Sequence, residues 1–396
     1  MKINKNLIKL AIICTALSDA GQGATTPALA TISAAMPTVS PALIQMISSI
    51  TALFIAITPV FYAKLILMGA RKRVLLTISA VLFIVGGMGP FLFNDSIWII
   101  LFFRALLGIA SGISFPLSVD LVVDFFEGKE RRTMTGFVSA TVSVSGVLFQ
   151  LVGGYLAGIN WTYTFLAYGL SIIFVVIWAI FLPEPKRQEK VAQEIETVHA
   201  SKKLNPAVYL VGVLFGVFFL LWYIMPNNGA IVLVGEGIAV PAQIGAAFSM
   251  ITVGSFVVSI LHGPMFKVIK FALLPLSFAL GAIGLYICFI ATTLPLYSVG
   301  ITFTGLGMGM IVPATMTKMV CMTSYTASPK AISLAYFAMG IGGFLQPIVF
   351  SWLGVNGVGR MPFLYGTVAM VVFCVVMVVV NILTKKQTVI PEYTNN

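Results

Sequence analysis

Apolar segments long enough to cross a bilayer, about 20 residues or more for the ~30 Å of hydrocarbon, alternate with short polar stretches along the chain. The first six are 7–33, 43–63, 74–93, 97–118, 134–157 and 163–182, and the second six are 207–225, 242–263, 272–291, 295–317, 331–353 and 362–384. This pattern predicts an all-α membrane protein with 12 transmembrane helices.

The longest polar stretch, 183–205, separates the two sets of six segments. We therefore predict an N-terminal six-helix bundle over 1–182 and a C-terminal six-helix bundle over 206–384. The stretch between them becomes a cytoplasmic linker, and 385–396 becomes a cytoplasmic tail.

The motif Gly-xxx-Gly-xxx-Pro occurs once in each half. Its members are Gly108, Gly112 and Pro116 in the first half and Gly305, Gly309 and Pro313 in the second, 197 residues later. Two glycines four residues apart lie on one face of a helix and let a neighbouring backbone approach closely. Other segments repeat at offsets of 196 to 200 residues. The chain therefore reads as one module written twice, and we predict two pseudo-symmetric halves related by an axis along the membrane normal.

Charge is scarce and unevenly placed. Hydrophobic residues make up 59% of the chain, above the roughly 45–50% of soluble domains, and charged residues only 9%. Of the 23 basic residues, 21 fall at the termini or in alternate loops, the exceptions being Arg104 and Arg360. The positive-inside rule places that side and both termini in the cytoplasm. The net charge of +11 thus indicates membrane topology in a cell-membrane protein and not a nucleic-acid partner.

The residues needed for common catalytic sites are missing from the sequence. The chain has two histidines and four isolated cysteines, and it has no Walker loop. These counts exclude a histidine metal triad, a thiolate cluster and an ATP site of the usual kind. We expect no enzymatic activity, no metal and no cofactor.

Short motifs mark three further places in the first half. Arg104 and Gly108 form an Arg-xxx-Gly pair in the fourth segment, and Gly153 and Gly154 are paired in the fifth. The turn after the second segment ends in a glycine and a basic cluster, which comprise Gly69, Arg71, Lys72 and Arg73.

With these motifs the chain resembles the major facilitator superfamily over essentially its whole length. The basic cluster matches the end of that family's loop motif, and the paired glycines match those of an antiporter motif in the fifth helix. Tyr62 and Ile66 stand where the loop motif has a glycine and an aspartate, and the antiporter motif has lost its proline. The resemblance implies two six-helix bundles around a central cavity, with the first and fourth helices of each half lining it.

Asp19 and Arg104 are the candidate proton-coupling residues. Asp19 is the acidic residue deep in the first segment, and helical rise places it at nearly the same depth as Arg104. Burial raises a carboxyl pKa whereas a nearby guanidinium lowers it, so a balanced group can exchange a proton. The alternative is a fixed ion pair that only holds two helices together.

Polar and aromatic residues within the apolar segments are candidates for substrate contact. They are Gln22, Gln45, Phe115, Gln150, Trp222, Tyr223, Tyr336 and Gln346. Gln150 and Gln346 occupy matched positions in the two halves. Each residue could instead serve helix packing. We place Asn227, Asn228 and Glu236 in a solvated outer loop after the seventh segment, and Trp222 at an outer helix end.

Charged residues at the predicted cytoplasmic ends are candidates for gating. They comprise Arg71, Lys72 and Arg73 of the loop motif, with Asp120, Asp124, Arg131 and Arg132 beyond the fourth segment. Gly69 of the same loop motif is included with them. Their ion pairs could form and break between the halves as the cytoplasmic mouth closes. The alternative is a solvated charge cluster at a helix end.

These features predict a secondary transporter that moves a small organic molecule by alternating access. The leading hypothesis is proton-coupled efflux of an apolar or cationic compound by a monomer in the lipid bilayer. It rests on Asp19 and on the 30 phenylalanines and 18 methionines suited to loose apolar binding. One alternative is proton symport or exchange of a small organic anion whose carboxylate binds Arg104. Another is a non-transporting membrane receptor or scaffold.

Overall fold

The computed structural model describes residues 5–19, 21–183, 204–323, 327–356 and 359–385. These residues form helices joined by short turns, and no β-strand occurs among them. The predicted tail and nearly all of the predicted linker lie outside the described residues. The all-α fold class is confirmed.

Seven α-helices belong to the described residues of the first half. They are α1 (Lys5–Asp19), α2 (Leu29–Ala35), α3 (Pro41–Leu67), α4 (Lys72–Leu92), α5 (Ile97–Phe125), α6 (Gly128–Ile159) and α7 (Leu170–Phe181). Short 3-10 helices, Gly21–Ala28 and Trp161–Gly169, precede α2 and α7. The second half continues with α8 (Pro206–Trp222), α9 (Ile224–Gly235), α10 (Pro241–Ile269), α11 (Leu273–Ile290), α12 (Leu294–Cys321), α13 (Ser328–Trp352) and α14 (Met361–Leu383).

Ten helical segments of the described chain are long and apolar enough to cross a membrane. One of them, Pro241–Ile290, has 50 residues and consists of α10 and α11, since Lys270 takes a positive φ of 46° between the two helices. The interrupted first helix, α1 with α2, is a further crossing that this length criterion misses. Twelve crossings result, as the sequence predicts.

The seventh crossing is longer than predicted. It runs through α8 and α9 to Gly235 instead of ending at residue 225. Asn227 and Asn228 are therefore buried within a helix, and the expectation of a solvated loop there is wrong. The physical reason is that residues 229–235 are again apolar, so the helix continues past the two asparagines. Trp222 lies within the crossing and not at its outer end.

Successive crossings run in opposite directions, so their ends fall on two sides of the molecule. We call one the termini side, which holds Lys5, Phe125, Phe181 and Leu383. We call the other the far side, which holds Ala35, Leu92, Ile159, Gly235 and Trp352.

The repeated glycine motif packs equivalent helices in the two halves. A Cβ atom added at Gly108 would lie 2.7 Å from the carbonyl oxygen of Thr51, so α5 packs closely on α3. A Cβ at Gly305 would lie 2.3 Å from the carbonyl oxygen of Ile251, so α12 packs in the same way on α10. Gly112 and Gly309 extend these two contacts one turn further along their helices. A methyl side chain at Gly108 or Gly305 would force the two backbones apart.

The most extensive helix pairs between the halves are α3 with α13 and α6 with α10. Close approach again depends on glycine: a Cβ at Gly154 would lie 2.9 Å from the Cα of Gly245, and one at Gly340 would lie 2.1 Å from the Cβ of Ala56. The first contact is on the far side and the second is midway along both helices.

The hydrophobic cores differ between the far side and the termini side. Ile44 and Ile97, near the far side of the first half, share one buried cluster with Phe215 and Phe248 of the second half. On the termini side the first half has a separate cluster, to which Leu75 belongs. The halves are thus packed together on the far side, whereas the termini side of the first half keeps a core of its own.

Candidate transport site

A cavity of about 280 Å³ lies between the two halves. The first half lines it with Gln22, Gly23, Thr26, Ser48, Thr51, Val142, Ser143, Gly146 and Gln150. The second half lines it with Trp222, Tyr223, Pro226, Phe248, Ile251, Thr252, Ser255 and Met308. One wall therefore consists mainly of amides and hydroxyls, and the opposite wall mainly of aromatic and apolar side chains. No charged side chain lines the cavity within the described part of the chain.

Four of the eight predicted substrate residues line this cavity, namely Gln22, Gln150, Trp222 and Tyr223. The indole Nε1 of Trp222 donates to the carbonyl oxygen of Thr304 at 3.2 Å, which fixes the ring. The other four candidates, Gln45, Phe115, Tyr336 and Gln346, are not among the lining residues. Gln150 and Gln346, which have equivalent positions in the two halves, therefore differ in their surroundings. Gln150 lines the cavity, whereas Gln346 lies in the interface described below.

The first crossing is broken where it passes the cavity. The 3-10 helix Gly21–Ala28 contains two glycines and Pro27, which cannot continue the hydrogen-bond ladder of an α-helix. Side chains from other elements satisfy carbonyl oxygens near the break: Ser145 donates to Leu17 at 2.5 Å, and Thr164 donates to Ala24 at 3.2 Å. These hydrogen bonds hold Gln22 and Thr26 in place at the cavity wall.

Arg104 is completely buried beside this break. Its Nη1 donates to the hydroxyl of Tyr168 at 2.7 Å, and its guanidinium lies over the rings of Tyr168 and Phe165, at 4.8 and 5.2 Å from their centroids. The Nε and Nη2 atoms have no hydrogen-bond partner, and no carboxylate lies within salt-bridge distance among the described residues. Arg104 does not line the cavity.

The predicted partner, Asp19, is the last residue of α1, which packs against α5. Its side chain lies outside the described residues, so the Asp19–Arg104 pair stays a prediction. The hydroxyl of Tyr168 also donates to the carbonyl oxygen of Gln22 at 3.3 Å. Arg104 is thus connected to the backbone three residues after Asp19.

A buried amide network joins the halves on the far side of the cavity. The Nε2 of Gln45 donates to the Oδ1 of Asn228 at 2.9 Å. The Nδ2 of Asn227 donates to Ser49 at 2.9 Å and to the Oε1 of Gln346 at 2.6 Å. We call these five residues the amide clasp. Two adjacent asparagines inside an apolar stretch were the available sequence signal for it, and extending the helix to 235 would have placed them inside the membrane.

The charged residues of the termini side pair within the first half. Lys72, at the start of α4, contacts Asp124 at 2.6 Å and Asp120 at 3.8 Å, both from α5. The hydroxyl of Tyr62 of α3 donates to the Oδ2 of Asp120 at 2.5 Å, the same oxygen that Lys72 contacts. The residue that replaces the family's glycine is therefore a partner of the acidic group. In this conformation these pairs join helices of one half and do not bridge the two halves.

The neighbouring basic residues bind backbone oxygens. Arg73 donates to the carbonyl of Ala179 at 2.8 Å, and Arg131 donates to those of Phe126 and Val123 at 3.2 and 3.0 Å. Gly69 takes a φ of 86° in the turn before α4, which suits glycine. The side chain of Arg132 lies outside the described residues. A gating role for this cluster stays a prediction.

Glu236 and Arg360 form an ion pair on the far side. The Nε of Arg360 donates to both carboxylate oxygens of Glu236, at 2.8 and 3.0 Å, and its Nη1 donates to the carbonyl of Phe289 at 2.8 Å. These bonds tie the ends of α9 and α11 to the start of α14. The hydrogen bonds from Arg360 hold the pKa of the Glu236 carboxyl below its usual range. Glu236 is therefore a paired residue and not a free loop residue.

Known proteins share both sequence and fold with this chain. The family model of the Major Facilitator Superfamily matches residues 11–230, which are 220 of the 396 residues. A protein TsgA homolog of Citrobacter koseri is 28% identical over 136 residues, 33% of this chain and 32% of that protein. The multidrug transporter protein MdtP of Bacillus subtilis is 31% identical over 67 residues, 17% of this chain and 12% of that protein. The matches span about a third or less of the length of these relatives.

Solved structures show the fold over nearly the whole chain. The nucleoside transporter NupG superposes with a TM-score of 0.79 at 9% identity, covering 94% of this chain and 99% of that one. A bacterial homolog to the human lysosomal transporter Spinster, in an inward-facing and occupied conformation, gives 0.77 at 18% identity and 98% coverage of both chains. The family match over more than half of the sequence, the twelve crossings and the cavity between two halves agree: the chain belongs to the Major Facilitator Superfamily and is a multi-pass membrane transporter, not an enzyme.

Proposed function

We propose that the protein exports small, largely apolar organic compounds across the cell membrane in exchange for protons, by alternating access. The observation that carries this proposal is the uncharged cavity between the halves, with one polar and one aromatic wall. The similarity to MdtP, a multidrug transporter, points in the same direction.

The two walls define the kind of molecule that fits. Trp222, Tyr223 and Phe248 offer flat apolar surfaces to a ring or an alkyl group. On the opposite wall, Gln150 Oε1 and Ser48 Oγ are buried atoms without a hydrogen-bond partner among the described residues. A fixed charge on the ligand would meet no opposite charge at these walls, and leaving an ion unpaired is costly. Uncharged amphipathic compounds fit this cavity best, and weakly basic ones come next.

The packing of the two halves bears on which side of the membrane can reach the cavity. The distribution of basic residues assigns the termini side to the cytoplasm. In this conformation the two halves pack together on the far side, through α6 with α10 and the amide clasp. The cavity would then be reached from the cytoplasm, and because importers and exporters both pass through such a state, export is proposed from the similarity to the multidrug transporter MdtP.

Proton exchange is assigned to Asp19 together with Arg104. Arg104 is buried, its Nε and Nη2 have no hydrogen-bond partner among the described residues, and a buried cation without a counter-ion is unfavourable. Asp19 lies on the same broken crossing that Tyr168 links to Arg104. Protonation of Asp19 would remove its attraction for the guanidinium of Arg104. If this attraction differs in strength between the inward and outward conformations, its loss shifts the equilibrium between them.

The organic-anion alternative is less well supported. It needs the guanidinium of Arg104 to reach a substrate carboxylate, whereas Arg104 is 0% exposed and is covered by the ring of Tyr168. Bidentate capture of a carboxylate needs one guanidinium edge to face the ligand, and the Nε–Nη2 edge of Arg104 is buried and does not line the cavity.

The proposal is tested with inverted membrane vesicles that hold a preset pH gradient, reported by a pH-sensitive dye. The probes are naphthylmethanol as an uncharged compound, tetraphenylphosphonium as an apolar cation, and naphthoate as an anion. We expect naphthylmethanol to dissipate the gradient most, tetraphenylphosphonium less, and naphthoate not at all. Dissipation by naphthoate alone would instead support the anion alternative.

The coupling residue is tested with Asp19→Asn, for which Asp95→Asn is the control because Asp95 lies in an exposed far-side turn. We expect Asp19→Asn to abolish gradient-driven transport while the purified protein keeps its thermal stability. Undiminished gradient dissipation in that variant would remove Asp19 from the mechanism.

A further inference from the structure

Tyr168 occupies a fixed position between Arg104 and the cavity. It lies in the 3-10 helix before α7 and is completely buried. Its ring packs edge-on against Phe83 at 5.7 Å and is tilted against Phe149 at 6.1 Å. Gly87 of α4 leaves the space for it, since a Cβ there would lie 2.4 Å from the Cγ of Tyr168. The ring therefore cannot follow its hydroxyl partners freely and sets their positions instead.

The direction of the two hydrogen bonds at the hydroxyl is determined by chemistry. A guanidinium can only donate, so the hydroxyl accepts from Nη1 of Arg104 at 2.7 Å. Its own hydrogen is then free for the carbonyl oxygen of Gln22 at 3.3 Å. The result is a directed chain from a buried cation through one hydroxyl to the backbone of a residue whose side chain lines the cavity.

Few other groups near the Arg104–Tyr168–Gln22 hydrogen bonds could carry a change in charge to the cavity wall. Among the described side chains, the titratable groups at this junction are Arg104 and Tyr168, and the proposed coupling adds Asp19 to them. The elements packed against Tyr168 otherwise present Phe83 and Gly87 from α4 and Phe149 from α6. A change in charge near Arg104 therefore reaches the cavity wall most directly through the hydroxyl of Tyr168.

We propose that Tyr168 is a positioning residue that transmits the state of Arg104 to the cavity wall at Gln22. The inference rests on the proton coupling proposed above and assigns it a structural route. Protonation at the Asp19–Arg104 site changes the Arg104–Tyr168 hydrogen bond, which in turn shifts the 3-10 segment that carries Gln22. Tyr168 does not contact the substrate cavity itself.

The test uses Tyr168→Phe, which keeps the ring and removes only the hydroxyl. The reporter is Gln22→Cys in a full-length protein whose four native cysteines are replaced by alanine, and the measured quantity is the rate of alkylation by N-ethylmaleimide across pH. Rates are divided at each pH by the thiolate fraction of the Gln22→Cys thiol itself, titrated by its ultraviolet absorbance against the cysteine-free protein, because a cavity thiol and an exposed thiol ionise at different pH. Tyr297→Phe is the matched control, since Tyr297 is equally buried but its hydroxyl has no hydrogen-bond partner in the described part of the chain.

We expect the normalised rate to change with pH by about fivefold in the parent and in Tyr297→Phe, as for the loss of one hydrogen bond. It should stay constant with pH in Tyr168→Phe. A pH-dependent rate that persists unchanged in Tyr168→Phe would overturn this inference and leave proton coupling standing. A rate that is constant in the parent as well would overturn the coupling proposal and this inference with it. Each variant is first checked for folding by size-exclusion chromatography. If Tyr168→Phe does not fold, infrared spectra of the parent with ring-deuterated tyrosine are recorded across pH. The inference then requires a tyrosine band that changes with pH.

Discussion

Gln45 and Asn228, 183 residues apart in sequence, form a 2.9 Å hydrogen bond from α3 to α9 across the junction of the two halves. Both side chains are buried. In an alternating-access transporter such a contact must break before the far side opens. The bond therefore contributes to the free-energy difference between the two conformations and not only to folding.

Asn228→Ala should favour opening on the far side. A neutral hydrogen bond contributes about 1 kcal/mol, so the population of the outward-open conformation should rise about fivefold. Distances between spin labels on far-side residues of α3 and α13 would measure this population. Gln243→Ala is the control, since Gln243 is a far-side residue that caps α10 within one half. An unchanged distance distribution in Asn228→Ala would mean that the clasp does not hold the far side closed.

Gly153→Ala should destabilise the protein strongly. A Cβ there would lie 2.0 Å from the carbonyl oxygen of Ala24, and a backbone atom cannot rotate away as a flexible side chain can. We expect a loss of about 1–3 kcal/mol, typical of an overpacked contact. Gly136→Ala in the same helix is the matched control because nothing lies within 4 Å of its Cβ position. Thermal unfolding in detergent should separate the two variants, and equal midpoints would contradict the close contact between α6 and the first crossing.

Lys72→Gln should leave the Asp124 carboxylate unpaired in a setting where only 5% of its side chain is exposed. Removing one partner of a buried ion pair costs about 3–5 kcal/mol, and Lys72 is partly exposed, so we expect a value at or below the lower end. The double variant Lys72→Gln with Asp124→Asn should recover part of the loss. Lys129→Gln, at an exposed site, is the control. Denaturant unfolding of the parent, Lys72→Gln, Asp124→Asn and the double variant measures this coupling, and simple additivity would exclude it.

The Glu236–Arg360 pair should stabilise the far side only above acidic pH. Because the pKa of Glu236 is lowered in the folded protein, its contribution is fully present above the ordinary glutamate pKa of about 4.3 and is lost as the pH falls through the lowered value. Glu236→Gln should therefore lower the free energy of unfolding at pH near 7 by up to about 1 kcal/mol. Thermal unfolding should show this as a slightly lower melting temperature. The difference from the parent should vanish at strongly acidic pH. A difference that grows on acidification would show that the sign of this linkage is wrong.

The position of each crossing could be read from the sequence with few errors. The bilayer imposes one length on every apolar run, so hydropathy alone gives twelve helices, and the repeated Gly-xxx-Gly motif identifies the closely packed helices α5 and α12. The error at the seventh crossing has a specific cause. Asn227 and Asn228 lower local hydropathy as a loop would, although in the structure each amide has a hydrogen-bond partner.

The partners of the polar residues could not be read in this way. Arg104 donates to Tyr168, 64 residues away in sequence, a partner that no sequence pattern indicates, and its predicted pairing with Asp19 stays a prediction. Gln150 and Gln346 have equivalent sequence positions, but one lines the cavity and the other belongs to the amide clasp. Which way a side chain points depends on the rotation of its helix and on local breaks such as Gly21–Ala28.

The sequence by itself determined the number of crossings, the duplicated architecture and the side on which positive charge collects. Each of these features depends on the length, hydropathy and flanking charge of individual segments relative to the bilayer. Packing against neighbouring helices does not change them. The tertiary structure decided which polar groups meet, where the cavity lies and which walls it has. Lipid-facing and protein-facing surfaces are both apolar in a membrane protein, so hydropathy carries little information about how helices are rotated against one another. Only their packing brings Gln22, Gln150 and Trp222 to one cavity and leaves Arg104 behind its wall.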